Sequence, residues 1–331
     1  MEPTVKNEKQ LLFLKHIEDI IPPSSSLVNE LSDVLEISID SSYRRMRGET
    51  SITIDEIIKL CNHFRISFDS FTNINSGAVT FHYNVINNEE KNFIDYLISL
   101  RNDLLKINAA KQKQIIYSCK DTPVFQNYNY PELAAFKMFY WMKSIMNVPM
   151  LEEEKFDISK ISDEMRSLGQ EIFDLYKQIP SVEIWTDNTI HSIIKQIEFY
   201  WESGMFQSND DALAVCNALL KQMSDIQKQA EFSNKEKNPT INNYSLFFSD
   251  IEITNNCVLV SINESKSVYL GHLSFNTMST SNKSYCKETE IWLNNLIKTS
   301  TLISGVSEKH RYQFFKNNLK KVENLISKIS E

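Results

Sequence analysis

The stretch Ser38-Ile39-Asp40-Ser41-Ser42-Tyr43-Arg44-Arg45-Met46-Arg47-Gly48 decides how the N-terminal part of the chain is read. Ser38 has the hydroxyl of a helix N-cap, and Gly48 tolerates the left-handed backbone that ends a helix. Wound at about 100° per residue, the segment puts Ile39, Tyr43 and Met46 on one face, with Ser42 at its margin. Those three are the expected core anchors. The opposite face carries Ser41, Arg44 and Arg45, flanked by Asp40 and Arg47. A short helix docked in a DNA major groove needs such a face: arginine bonds guanine bidentately or neutralises phosphate, and Ser41 can meet a base edge or the backbone. Asp40 would be repelled by phosphate. It either pairs with Arg44 four residues on or accepts from a cytosine amino group. The bland alternative is that the arginines form the solvated side of an ordinary amphipathic helix.

Working outward, Leu11, Leu12, Phe13, Leu14, Ile17, Ile20 and Ile21 form an earlier helical stripe, stopped by Pro22-Pro23. Ser24 to Ser26 offer caps for a second helix through Leu27, Val28, Leu31, Val34 and Leu35, followed by a tight connection at Glu36-Ile37. Beyond the quoted stretch, Thr53-Ile54-Asp55-Glu56 forms a capping box ahead of Ile57, Ile58, Leu60, Cys61 and Phe64. Ser67 can cap a last turn to Phe71. From Ser26 to Ser38, through Tyr43 to Gly48 and on to Phe64-Arg65-Ile66-Ser67-Phe68-Asp69, the chain resembles the Cro/CI-type (Xre) helix-turn-helix regulators. The resemblance implies a five-helix, λ-repressor-like domain over residues 1–75, double-stranded DNA as partner, and a recognition helix whose start and exposed face run from Ser38 to Arg45. It also implies that Ser25 or Ser26 touches phosphate. The expected DNA-binding set is therefore Ser25, Ser26, Ser38, Asp40, Ser41, Arg44, Arg45 and Arg47. Two-fold operators need two recognition helices, so a homodimer is expected.

Charge cuts against this expectation. The whole chain carries a net −8, and residues 1–75 hold eight Lys/Arg against twelve Asp/Glu, a net −4. Attraction to DNA would rest on the local cationic tip. A protein-interaction scaffold that uses the same helices as a docking module is the alternative.

The remainder reads as mainly α, and the chain as α+β overall. An Asn-rich linker is expected at 76–88, with a short extended piece at Val79 to Tyr83. Helical periodicity dominates from Glu89 to about Phe232, predicting a central helical block within a C-terminal region, 89–331, that dimerises or senses a small-molecule or protein effector. A polar break at Ser233 to Asn243 precedes three β-rich runs, Tyr244 to Phe248, Cys257 to Ile262 and Val268 to Phe275, expected as a small antiparallel meander. Two helices, near Lys287 to Lys298 and Glu308 to Ile329, close the chain. In the last, Phe315, Leu319, Val322, Ile326 and Ile329 line up either to pack on their own domain or to form the dimer contact.

No chemistry of catalysis stands out. The six glycines are too scattered for a phosphate-cradling loop, and Ser304-Gly305 lacks the surroundings of a nucleophile elbow. His191 and His272 have no neighbouring nucleophile, and neither the six histidines nor the five cysteines have metal-ligand spacing. An enzyme, a metal or a cofactor is not expected. Reduced thiols, the lack of a signal-like start and the lack of a membrane-length apolar run favour a cytoplasmic protein away from membranes. The aromatic stripe Phe136, Phe139, Tyr140 and Trp141 is expected as core packing rather than a ligand pocket.

Overall fold

The computed structural model describes residues 7–21, 25–64, 66, 68, 78–236 and 242–331, with only the backbone at 19 and 20, in two units, Met1–Thr80 and Phe81–Glu331. In the first, helices α1 (Glu8–Ile20), α2 (Leu27–Leu35), α3 (Ile39–Met46) and α4 (Ile54–Phe64) follow the apolar periodicity. Phe13, Leu14 and Ile17 of α1 meet Leu27, Leu31 and Leu35 of α2 and Leu60 of α4 in one buried cluster. The fifth helix expected at Ser67 to Phe71 lies, apart from Phe68, outside the described residues.

Local chemistry sets the joints. The Ser26 hydroxyl accepts from the Asn29 amide at the start of α2. Glu36 ends that helix at φ 57°, the left-handed conformation usually given to glycine. Two residues later Ser38 caps α3 through the Ser41 amide. Gly48, at φ +73°, closes α3: its N–H reaches the Arg45 carbonyl, and the Glu49 N–H reaches that of Arg44. This is the paired hydrogen-bond pattern of a Schellman ending. Gln10 of α1 then clamps the segment after α3. Its amide donates to the Arg45 and Thr50 carbonyls, both at 2.8 Å, and its oxygen accepts from the Ile52 amide.

The second unit is a mixed sheet with helices on both faces. Its order of elements is β1 (His82–Tyr83), α5 (Glu90–Ala109), β2 (Lys113–Ser118), α6 (Val124–Asn127), α7 (Pro131–Tyr140), α8 (Asp163–Tyr176), β3 (Ser181–Trp185), α9 (His191–Glu202), α10 (Asn209–Phe232), β4 (Tyr244–Phe248), β5 (Cys257–Ile262), β6 (Ser265–His272), β7 (Asn276–Thr280), α11 (Lys283–Thr299), β8 (Thr301–Leu302) and α12 (Glu308–Ser330). The strands lie in the order β1-β7-β6-β5-β2-β3-β4-β8. The trio β2, β3 and β4 is parallel; every other pairing is antiparallel. The period-2 alternation of strands then sorts side chains. Ile116, Ile184, Leu259 and Val268 face Leu293 and Leu296 of α11, whereas Ile115, Tyr117, Trp185 and Val260 face the larger helical layer.

Two expectations need correction. The central block is not purely helical, because Ile115-Ile116-Tyr117 and Val182-Glu183-Ile184-Trp185 lie in strands at the middle of the sheet. The β-rich runs do not form one meander: β5, β6 and β7 do, but β4 runs parallel to β3. The short extended piece expected at Val79 to Tyr83 contains β1, with His82 and Tyr83 opposite Ser279 and Met278. The apolar stripe of α12 turns inward, with Phe315 and Val322 fully buried and α10 packed against it, so it is not free to serve as a dimer contact. Among the described residues, no helix is long and apolar enough to cross a membrane.

Candidate nucleic-acid interface

Helix α3 is rolled relative to the orientation expected from its apolar residues. Ser42 is completely buried, and Met46 packs on the cluster of α1, α2 and α4. Ile39 and Tyr43, the expected anchors, are instead 45% and 47% exposed. The cause is the closeness of α2, which packs directly against α3. A serine at the contact allows approach of two backbones where a tyrosine would hold them apart, and the Ser42 hydroxyl is satisfied locally by the Ser38 carbonyl.

The roll also separates the arginines. Arg45 turns inward and makes a bidentate pair with Glu56 of α4, Nη2 to Oε1 at 2.6 Å and Nε to Oε2 at 3.3 Å. Both side chains are largely covered. Glu56 also accepts from the Thr53 amide, so one carboxylate completes the capping box and anchors α3. Burial pushes the Glu56 carboxyl up, but the Arg45 and Thr53 hydrogen bonds outweigh it and hold the group below its ordinary value. Arg45 is therefore withdrawn from the expected DNA-contacting set.

Arg44 and Arg47 stay on the surface, more than half exposed. Glu49 lies between them, hydrogen-bonded to Arg47 at 2.6 Å and 4.0 Å from Arg44. The bond to Arg47 holds the Glu49 carboxyl below its usual range. The expected Asp40–Arg44 pair is not formed among the described residues; Asp40 stands exposed in the first turn. Ser38 and Ser41 are engaged with each other, hydroxyl to hydroxyl at 3.0 Å. Ser26 is exposed and Ser25 half-buried at the start of α2.

The outer face of α3 is thus Ile39, Asp40, Tyr43, Arg44 and Arg47, a helical stripe at intervals of one and three residues. No protein-family model matches the chain, and no curated protein or solved structure was found to match it. The arrangement of the face must speak for itself. It offers two guanidinium forks, one phenol ring and one branched aliphatic side chain, a mixture able to contact phosphate, base edges and the thymine methyl. Ile39 and Tyr43 lie at the surface because close approach to α2, rather than hydrophobicity, decides the inward face of α3. The usable signal was Ser38-Ser42 with Arg45-Met46, small or pairable residues at helical spacing, and a carboxylate at Glu56 waiting for Arg45.

Proposed function

We propose that the N-terminal unit is a DNA-binding helix-turn-helix of the Xre type and that the chain is a sequence-specific transcriptional regulator. One observation carries the reading: α3 is capped at both ends, fastened from behind by Ser42, Met46 and the Arg45–Glu56 pair, and presents Ile39, Asp40, Tyr43, Arg44 and Arg47 outward. A fixed rod with an outward polar and aromatic face, on which Glu49 is the exchangeable partner of Arg47, meets the geometric requirement for groove reading. Ser26, already accepting the Asn29 N–H, keeps its hydroxyl proton at the helix entry, and in this reading that proton goes to phosphate, whereas the Ser38 hydroxyl donates to Ser41.

The acidic unit and the nearby Glu49 restrict nonspecific affinity, so specificity must come from the few groups on α3. The test is selection of genomic fragments on the full chain, followed by titration of the selected duplex at several salt concentrations. Arg44→Ala/Arg47→Ala should abolish selection and flatten the salt slope by about 2, near 0.9 per lost phosphate contact. Tyr43→Ala should weaken binding with an unchanged slope. Enrichment of no sequence, or a double variant that binds normally, overturns the proposal.

A second reading, a protein-docking module, is favoured by the exposed Ile39 and Tyr43 and by Ile54 and Ile58 on α4, 76% and 52% exposed. It predicts no enriched duplex and survival of partner capture in the Arg44/Arg47 variant.

A further inference from the structure

The second unit buries two lysines, and they differ in one respect. Lys235 donates to the Tyr176 and Ile179 carbonyls and the Ser181 hydroxyl, at 2.8, 2.6 and 2.7 Å, and its ammonium lies over the Tyr176 ring. All three N–H bonds are used, so this lysine cross-braces the fold. Lys137, on α7, is equally inaccessible at 6% exposure, yet among the described residues its Nζ has one hydrogen-bond acceptor, Gln196 Oε1 at 2.7 Å, and no ion pair. The faces of Trp141 and Tyr140 lie 4.7 and 5.9 Å from it.

Lys137 also opens onto a cavity of about 460 Å³. This cavity lies between the inner face of β2, β5 and β6 and the helices α5, α7 and α9, and extends to the carboxyl end of β2, where Asp121 and Thr122 follow the strand. Ligands of open α/β sheets favour such crevices. A second polar group faces the same problem as Lys137: the Thr122 hydroxyl is buried and has no hydrogen-bond partner. Asp121 acts on Lys137 electrostatically without forming an ion pair with it. The rest of the lining is ring-rich, including Tyr117, Tyr269 and Phe275. At the cavity rim, α7 widens into a π-helical segment, Trp141–Ile145, with the Met146 amide bonded to the Trp141 carbonyl.

A buried ammonium with two unused protons, a buried hydroxyl with none of its bonds made, and aromatic walls are costly as core and useful as a receptor. We propose that this cavity binds a small organic carboxylate with a flat apolar body, the carboxylate being held by the Lys137 ammonium and the Thr122 hydroxyl. Desolvation lowers the Lys137 pKa to about 8, with Asp121 opposing the fall, and the group therefore stays mostly cationic at neutral pH. Asp121 leaves open an ammonium on the same ligand, which would make it an amino acid. The site is independent of the DNA-binding reading, and its test uses no DNA.

The probes are benzoate, 3-phenylpropionate, indole-3-acetate, L-phenylalanine and L-tryptophan, each beside its primary amide, titrated against the full chain by calorimetry and thermal unfolding. At least one carboxylate should bind saturably and, at a hundred times its dissociation constant, raise the transition by roughly 5–10 °C. Its amide should not. Lys137→Met should fold with a transition no lower than the parent and lose binding at least tenfold. Thr122→Val, which removes a hydroxyl without breaking a bond, should keep its transition and also weaken binding, and it carries the test should Lys137→Met fail to fold. Stronger binding by the amino acids than by their deaminated counterparts would support the site and place Asp121 on the ammonium. Failure of every carboxylate, equal binding of acid and amide, or parental affinity in the Thr122→Val variant overturns the proposal.

Discussion

Arg45 and Arg47 stand two residues apart, and the backbone of α3 gives them opposite surroundings. The Arg45 fork meets a carboxylate in a nearly closed setting, where removing one partner leaves the other charged, desolvated and alone. Arg45→Met should therefore lower the stability of the first unit by about 2–3 kcal/mol. Arg44→Ala and Arg47→Ala should stay within about 0.5 kcal/mol of the parent, because exposed pairs contribute little. Hydrogen exchange of the α3 and α4 amides reads both effects separately from the rest of the chain, and equal protection loss in all three variants would refute the division. The Glu56 carboxyl is lowered in the fold, so its contribution is present above the ordinary carboxylate pKa and disappears as pH falls through the lowered value. Arg45→Met should show less acid sensitivity across that window.

Between α2 and α3 the chain turns on Glu36, whose side chain pays for a backbone conformation that L-residues avoid. Glu36→Gly should raise the unfolding free energy of this unit by about 1 kcal/mol, and a neutral or lower value would mean that the Glu36 side chain supports the turn in some other way. The turn was legible in the sequence because its cues are local: a stop to the apolar spacing at Leu35 and a cap at Ser38. The helices α5 and α10 to α12 were legible for the same reason. The strands β2 and β3 were not, since Ile115-Ile116-Tyr117 is apolar on both faces and a short apolar run looks alike as helix or strand. Their parallel pairing joins Ile115 to Ser181 and Ser181 to Tyr244, contacts that no local pattern announces. Nor could spacing reveal that Tyr140 and Trp141 line a cavity while their neighbours Phe136 and Phe139 are core; that depends on which way α7 meets the sheet. Glu183 shows the same dependence. It is buried on β3 and receives hydrogen bonds from Tyr176, Tyr244, Trp185 and Gln126, four donors drawn from four separate segments. Glu183→Ala would orphan the Trp185 and Tyr244 donors and leave Tyr176 and Gln126 only their longer bonds to Ser181 and Gln229, and a loss of roughly 3–5 kcal/mol is expected from chemical denaturation.

At the scale of the molecule, the buried titratable groups of the second unit set how stability runs with pH. All four tryptophans lie beyond residue 80, so intrinsic fluorescence of the full chain follows this unit. Lys137 and Lys235 are pushed down by desolvation, to about 8 and about 7. Unfolding returns each to about 10.4, so above neutrality the unfolded chain binds more protons than the folded one, and stability rises with pH. Tyr117, Tyr176 and Tyr244 work in the other direction. Desolvation raises each of them well above the ordinary phenol, and above about pH 10 the unfolded chain sheds protons that the fold retains. Desolvation also raises the buried Cys119, Cys216 and Cys257 thiols, whose protons the unfolded chain sheds from about pH 8.5, so stability should climb from pH 7, crest between about pH 8 and 9 and fall beyond it. Lys137→Met removes one of the two ascending contributions. Its advantage over the parent should be largest at pH 7, on the order of 3 kcal/mol, and should vanish by about pH 11. Denaturant unfolding at intervals of one pH unit decides the matter: parallel curves for parent and variant would mean that Lys137 is not charged against its surroundings in the folded state.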